Sequence, residues 1–340
     1  MIRGENIYRD KNPQVFAESN PQVSVVVPAY NEAGNLTKLY TELIKVLSTL
    51  NMSWEIVFVD DGSKDDTWSK IVSLCENDIR VKGVRLSRNF GHQNALLAGL
   101  VRAKGQAVIS MDADLQHSPQ MIPMLVDEWR KGNKIVHTVR SDPNDLPFLK
   151  KVTSQLFYRI FSFLSGVKID PGMADFRLLD RQVVDEIIHL KESRLFFRGL
   201  VQWVGYPSSR VEFQSGYRFS GDSKYNFHKM LKFAWTGITS FSVVPLRVTI
   251  ILGLISSMFA FYRIIQALYT KLFTDSAVPG WTSLTIIVSF SFGILFIVLG
   301  IIGEYIARIL EEVRSRPRFI VSERIGFEEA PREERTQGII

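Results

Sequence analysis

Hydrophobic and polar positions follow two alternating rhythms over residues 21–140. Val23 to Pro28 (Val-Ser-Val-Val-Val-Pro) is a β-branched run stopped by proline and predicts a buried strand, followed by a loop over Ala29–Glu32. From Asn35 to Leu50 the apolar residues Leu36, Leu39, Leu43, Ile44 and Leu47 fall at a helical period. Glu55 to Val59 predicts a second strand, which ends in Asp60, Asp61 and a Gly62-Ser63 turn. Asp65-Asp66-Thr67 predicts a cap for a helix from Thr67 to Glu76. A short strand over Lys82–Leu86 precedes a helix over Gly91–Ala103, in which Ala95, Ala98 and Gly99 permit close packing. Val108 to Met111 is the next strand, Pro119 lies near the start of a helix to Lys131, and Lys134 to Thr138 leads to Arg140. This βαβαβ alternation predicts an α/β domain with a mostly parallel sheet covered on both faces.

The texture changes from Asp142. A turn-rich segment over Asp142–Pro147 precedes an amphipathic basic helix over Lys150–Leu164. Gly172 to Leu179 predicts a strand entering a helix at Asp180, Arg210 to Phe213 another strand, and Gly216 to Tyr225 a loop.

The last third has the pattern of a bilayer segment. Ser276 to Gly303 contains no charged residue and exceeds the roughly 20 residues that span a membrane. Val248 to Leu268 has a similar length and carries Arg263, placed to snorkel from the helix end. Lys229, Lys232 and Arg247 flank the pair on one side and Arg308, Arg314, Arg316 and Arg318 on the other. The positive-inside rule puts both flanks in the cytoplasm. The expected organisation is a leader over 1–20, a cytoplasmic domain over 21–227, an interfacial amphipathic helix over 228–246, and two transmembrane helices at about 248–268 and 280–303. A cytoplasmic segment over 304–340 completes it, so the protein is a multi-pass protein of the cell inner membrane with both termini cytoplasmic. Val313 to Ile325 predicts an exposed strand free to pair with another subunit, the basis for expecting a homo-oligomer such as a tetramer.

Composition sharpens this reading. The net charge of +6 fits an anionic partner, and the single cysteine, Cys75, excludes an internal disulfide and a cysteine-rich metal site. Taken alone, Asp112-Ala113-Asp114 reads as a strand running into an acidic turn. Together with Asp60 and Asp61 at the end of another strand, it places four carboxylates at one sheet edge, where they repel unless neutralised. A divalent Mg²⁺ or Mn²⁺ with a substrate diphosphate meets that need, and Arg140, Lys150 and Lys151 lie in reach of phosphate oxygens. No Gly-x-Gly-x-x-Gly follows the first strand, and neither a P-loop nor a Gly-x-Ser-x-Gly elbow occurs, which sets aside dehydrogenase, P-loop and serine-hydrolase chemistry. The histidines lack metal-ligand spacing, and His117 is expected to play a polar structural role.

Val-Val-Pro-Ala-Tyr-Asn-Glu (26–32), Val-Asp-Asp-Gly-Ser (59–63), Asn-Phe-Gly-His-Gln (89–93) and Asp-Ala-Asp-Leu-Gln-His (112–117) resemble the family 2 glycosyltransferases of GT-A fold. Gly-Met-Ala-Asp-Phe-Arg (172–177), Arg218 with Gly221-x-Ser223-Lys224-Tyr225, and Gly303-Glu304-Tyr305 through Arg316-Pro317-Arg318 narrow the resemblance to polyisoprenyl-phosphate hexosyltransferases. That group includes the bactoprenol glucosyltransferases and, more distantly, dolichol-phosphate mannose synthase. The resemblance implies a metal at Asp112, Asp114 and Gln116. It implies nucleotide-sugar binding by Pro28, Tyr30, Glu32, Asp60, Asp61, Ala113 and Arg140, and phosphate or acceptor contacts from Arg218, Ser223 and Lys224; the basic pair Lys150 and Lys151 is expected to join them on charge alone, with a solvated helix face as the alternative. Asp175 matches the proposed catalytic base. A lipid phosphomonoester has a second pKa of about 6, so it offers a base little proton to remove. The expected partners are a nucleotide sugar, a polyisoprenyl phosphate lipid and the membrane, with no nucleic acid. Glucose is the expected sugar; mannose and an aminoarabinose-type sugar are alternatives, as is a non-catalytic membrane scaffold. A processive polysaccharide synthase would carry Gln-x-x-Arg-Trp, whereas this chain has Gln202-Trp203 without the Arg-Trp pair.

Overall fold

A computed structural model describes residues 21–140, 173–190, 192, 196–213, 244–273 and 280–327. The described residues form two compact units, one from residues 21–213 with 317–327 and the other from residues 244–316. The helix expected over 150–164 and most of the one expected over 228–246 lie outside the described residues, as do Lys150, Lys151, Arg218, Ser223, Lys224 and the Arg140 side chain.

The first unit is an α/β sandwich. In chain order its elements are β1 (Val23–Ala29), α1 (Leu36–Leu47), β2 (Trp54–Asp60), α2 (Thr67–Asn77), β3 (Val81–Leu86), α3 (His92–Arg102), β4 (Ala107–Ser110), α4 (Ile122–Arg130) and β5 (Ile135–Arg140). There follow β6 (Met173–Asp180), α5 (Arg181–His189), α6 (Phe197–Trp203), β7 (Ser208–Phe213) and, far along the chain, β8 (Val321–Ile325). The sheet runs β7-β5-β6-β4-β1-β2-β3-β8. Strands β4, β1, β2 and β3 are mutually parallel, and β7 is parallel to β5. β6 lies antiparallel between β4 and β5, and β8 antiparallel along β3. The sheet is therefore mostly parallel, as the βαβ pattern predicts.

Each face of the sheet has its own core. Leu36, Leu39 and Leu43 of α1, Ile71 of α2 and Ile122 and Leu125 of α4 cover one face. Ala95, Leu96 and Ala98 of α3, Val183 and Ile187 of α5 and Phe197 and Val201 of α6 cover the other. Strands buried on both sides need apolar residues at consecutive positions, which accounts for Val25-Val26-Val27 of β1, while the buried Ser24 hydroxyl donates to Glu55 at 2.6 Å. Helix α3 comes so close to the sheet that a Cβ on Gly99 would stand 2.2 Å from Val26 Cγ1 and 3.0 Å from Val59 Cγ2. Both neighbours are stiff, fully buried β-branched side chains. Gly99→Ala is expected to overpack this contact and cost about 1–3 kcal/mol, read as a lower urea midpoint.

Two expectations need correction. Val313 and Arg314 belong to a helix, and the strand is confined to Val321–Ile325. That strand pairs with β3 of its own chain, Gly83 opposite Ile325 and Arg85 opposite Glu323, so its hydrogen-bonding edge toward β3 is used internally. β8 is the outermost strand of the sheet on that side.

The second unit holds two long helices packed on each other, α7 (Val244–Phe273) and α8 (Gly280–Arg314). Large apolar side chains such as Met258, Phe273 and Phe296 are exposed along them. Among the described residues, one stretch, Phe290–Arg314, is long and apolar enough to cross a membrane by length and composition, and Leu246–Phe259 is apolar but shorter.

Candidate active site

β1 is followed in the sheet by β2 on one side and flanked by β4 on the other, with Val26 opposite Ser110. Chain order thus reverses at β1, and ligand crevices in open α/β sheets form at such points, beyond the strand C-termini. A cleft of about 320 Å³ lies there, lined by Pro28, Tyr30, Glu32, His92, Asp112, Ala113, Asp114 and Asp175.

The loop after β1 is tied to the loop after β2. Asn31 takes a left-handed conformation, φ 56°, and its N–H donates to Ser63 Oγ at 2.9 Å. The Lys64 N–H donates to Asn31 Oδ1, and the Glu32 N–H to Thr67 Oγ1, each at 2.9 Å. These bonds leave Tyr30 41% exposed at the cleft. The Glu32 carboxylate accepts from Asn35 Nδ2 at 2.6 Å. Burial, with the charges of Asp114, Asp65 and Asp112, pushes its pKa up against the effect of that bond.

Asp60 and Asp61 are both buried and hold backbone. Asp60 accepts from the Ser63 N–H at 2.9 Å and lies 3.4 Å from Arg85 Nε. Asp61 accepts from the N–H groups of Phe90 and Gly91 at 2.7 and 3.0 Å, which fixes the loop leading to His92. Burial nevertheless raises its pKa. Gly62, at φ 68°, is required directly after them, because a Cβ there would meet the Arg88 carbonyl carbon at 2.5 Å.

The segment after β4 carries the acidic pair. Carboxylate oxygens of Asp112 and Asp114 and a ring nitrogen of His117 lie within 4.8 Å of one another. Leu115 between them has φ 59°, a costly conformation for a branched residue and one typical of functional loops. Burial raises the Asp112 pKa, as do the charges of Asp175 and Asp114, against the effect of His92 and His117. His92 Nε2 stands 3.4 Å from Asp112 Oδ1. Crowded carboxylates with a nitrogen donor fit a divalent cation that accepts mixed oxygen and nitrogen ligands. Gln116 reaches this cluster through its backbone N–H, which donates to Asp114 Oδ1 at 3.0 Å. His117, read above as structural, also lies against the Phe176 ring.

β6 runs antiparallel to β4, so its first residues meet the C-terminal end of β4 at the cleft. The Ser110 hydroxyl donates to the Asp175 carbonyl at 2.6 Å. The Asp175 carboxylate takes a two-pronged hydrogen bond from Arg198, Nε at 2.9 Å and Nη2 at 3.0 Å, and a third from Arg177 Nη2 at 2.8 Å. Burial alone would raise its pKa; the Arg198 bonds and the charges of Arg177 and Arg198 outweigh that and hold it well below the usual carboxylate range. Arg177 is fully buried, and burial lowers its pKa to about 10. Opposite it in the ladder is His137, whose pKa is pushed down to about 3 by burial and by the Arg177 and Arg210 charges. His137 is therefore a neutral imidazole, bonded to Gln202 at 3.1 Å.

Of the residues singled out from sequence, Pro28, Tyr30, Glu32, Asp112, Ala113, Asp114 and Asp175 meet at the cleft. Asp60 and Asp61 stand behind it. His92, Arg177 and Arg198 were not anticipated. His92 lies inside the quoted Asn-Phe-Gly-His-Gln segment and Arg177 ends Gly-Met-Ala-Asp-Phe-Arg, whereas Arg198 carries no local signature.

The sequence profile described as glycosyl transferase family 2 matches residues 24–188. An uncharacterized glycosyltransferase of Bacillus subtilis (strain 168), YkcC, is 42% identical over 307 residues, covering 90% of this chain and 95% of its own. A prophage bactoprenol glucosyl transferase homolog of Escherichia coli (strain K12) is 37% identical over 300 residues, covering 88% and 98%. Among solved structures, glucosyl-3-phosphoglycerate synthase from Mycobacterium tuberculosis, in complex with Mn²⁺, UDP and glucosyl-3-phosphoglycerate, aligns with a TM-score of 0.42. It is 17% identical and covers 64% of this chain and 77% of its own.

Proposed function

The chain belongs to glycosyl transferase family 2 and is a glycosyltransferase, and from that premise we propose that it moves glucose from UDP-glucose onto undecaprenyl phosphate at the cytoplasmic face of the membrane. The observation that carries this reading is the full-length match to bactoprenol glucosyl transferases, such as that of Shigella phage SfV, 38% identical over 300 residues and 98% of its length. The acidic cleft is consistent with it.

In this reading Tyr30, Glu32 and Pro28 receive the nucleoside end of the donor. Asp112, Asp114 and His117, with Gln116 beside them, would hold Mg²⁺ or Mn²⁺, which supplies positive charge to the donor diphosphate. The reaction is an inverting single displacement. A phosphate oxygen of the acceptor forms the new bond to the sugar C1, the bond from C1 to the UDP oxygen breaks, and UDP leaves with the electron pair. Asp175 is ionised, and two arginines hold its charge, so it serves as an anion rather than a proton acceptor. Arg140, Lys150, Lys151, Arg218, Ser223 and Lys224 complete the phosphate contacts in this proposal. Helices α7 and α8 act as two membrane spans. The uncharged run Ser276–Gly303 and the basic flanks support that assignment.

The test is incubation of the purified protein with a panel of radiolabelled UDP- and GDP-sugars plus undecaprenyl phosphate. Label from UDP-glucose is expected in the lipid extract, lost on chelation of divalent metal. Preferential labelling from GDP-mannose would reassign the sugar, and no lipid label from any donor would remove the proposal.

A further inference from the structure

One row of residues crosses four strands at the cleft end of the sheet. Ala29 of β1 lies opposite Asp60 of β2, Asp60 opposite Arg85 of β3, and Arg85 opposite Glu323 of β8. Residues directly opposite in a ladder point to the same face, so three ionisable side chains stand in line: acid, base, acid. The first member of the row leads into Tyr30 and Glu32 of the cleft. The last belongs to the strand that joins the sheet from far along the chain.

Asp60 depends on this row. It is fully buried, and its Oδ1 accepts from the Ser63 N–H at 2.9 Å. Its Oδ2 has no hydrogen-bond donor among the described residues, and Arg85 Nε faces it at 3.4 Å. A buried carboxylate is costly unless a cation is held against it. Arg85 is 34% exposed, and a long side chain at that exposure has many rotamers open to it. Glu323 restricts them. Its Oε1 accepts from Arg85 Nη1 at 2.8 Å and its Oε2 from Trp68 Nε1 at 3.1 Å, and the Trp68 ring is packed in the core of that face. The Ser322 hydroxyl donates to the Arg85 carbonyl at 3.2 Å, beside the register shift in the β3–β8 ladder.

Asp60 in turn fixes the cleft wall. The Ser63 whose N–H it accepts takes the Asn31 N–H on its own hydroxyl, and Asn31 lies between Tyr30 and Glu32. Next to Asp60, the Asp61 N–H donates to the Ala29 carbonyl at 2.9 Å.

We propose that Glu323 is a positioning residue for the nucleotide donor: by orienting Arg85 it holds Asp60, and through Ser63 and Asn31 the loop that carries Tyr30 and Glu32. The inference rests on the reading that this loop receives the nucleoside of the donor. It gives β8 a task beyond extending the sheet.

The test compares the wild-type chain with Glu323→Ala, Glu323→Gln, Arg85→Met and the E323A/R85M double variant. Arg324→Gln, at the exposed neighbour opposite Val84, is the control for a general loosening of β8. The readouts are UDP affinity in the presence of Mn²⁺, donor and acceptor KM, and thermal melting. E323A is expected to weaken UDP binding and raise donor KM by about fivefold, with acceptor KM within about twofold of wild type. E323Q, which keeps an acceptor oxygen, is expected to recover part of the loss. R85M leaves Asp60 without its cation and is expected to weaken UDP binding by about tenfold or more. The double variant is expected to match R85M, because Glu323 acts through Arg85. R324Q is expected to bind UDP as wild type does. E323A that binds UDP as tightly as wild type, well below its melting transition, overturns the inference, since a contact that serves only stability would lower the melting temperature alone. An equal loss in R324Q overturns it in favour of a loosened strand, and a double variant clearly weaker than R85M overturns the route through Arg85. A wild type that binds no UDP overturns the functional reading and this inference with it.

Discussion

Asp114→Ala is expected to lower the rate of sugar transfer by about 10³-fold or more, because in the proposed reaction it removes a charged oxygen from the cluster that would hold the cation of the donor diphosphate. The three donor groups of Asp112, Asp114 and His117 lie within 4.8 Å of one another, and no other described residue is grouped with them. The loop pays for this crowding in the raised pKa of Asp112 and the left-handed Leu115. Activity and stability are therefore expected to move in opposite directions. Without metal, the alanine variant relieves carboxylate repulsion and melts no lower than wild type. With Mn²⁺, wild type melts higher and the variant shows little shift, because only wild type gains the binding free energy. A variant that kept the Mn²⁺-dependent shift would show that the cation is held elsewhere.

Asp175→Asn is expected to lower kcat by roughly 10²-fold while the pH profile keeps its shape. The sign follows from the direction of the pKa shift. The folded-state pKa of Asp175 is depressed, so the carboxylate stays ionised as pH falls through the ordinary carboxylate range. Its stabilising contribution is present above the unfolded value of about 4 and is lost only in strong acid. A group so easily ionised is a weak base at working pH. The acid limb of the wild-type profile should instead follow the second ionisation of the acceptor phosphate, near pH 6. The measurement is kcat/KM for wild type and D175N from pH 4.5 to 9. An acid limb that is present in wild type and missing from the variant would restore the base.

Much of this site was legible because chemistry and periodicity coincide in the sequence. Asp112 and Asp114 follow a buried four-residue strand, and in a parallel sheet the end of such a strand is the ligand edge. Asp60 and Asp61 showed the same pattern, yet Asp61 spends both oxygens on the backbone of Phe90 and Gly91. Local pattern locates a carboxylate without naming its partner. The same limit hid β6: Met173–Asp180 reads as a strand in either direction, and its antiparallel insertion between β4 and β5 depends on contacts distant in sequence. Arg198 was invisible because an arginine early in a short helix has no periodic signature; its ion pair with Asp175 appears only when β6 brings that carboxylate to it. The internal pairing of β8 was hidden for the same reason, as a strand shows its hydrogen-bonding capacity but not its neighbour.

The position of β8 bears on how the molecule is made. On a ribosome, the amino-terminal strands emerge first and α7 and α8 follow, so the open edge of β3 must wait for both helices before its partner exists. During that interval the unpaired edge is exposed to association with other chains. Glu323, which arrives with β8, bonds Arg85 at 2.8 Å and Trp68 Nε1 at 3.1 Å, and Arg85 leans on Asp60 beneath the cleft. The β1–β3 half of the sheet therefore gains its last partner strand, and the Arg85 contact to Glu323, only after the helical segment has been synthesised.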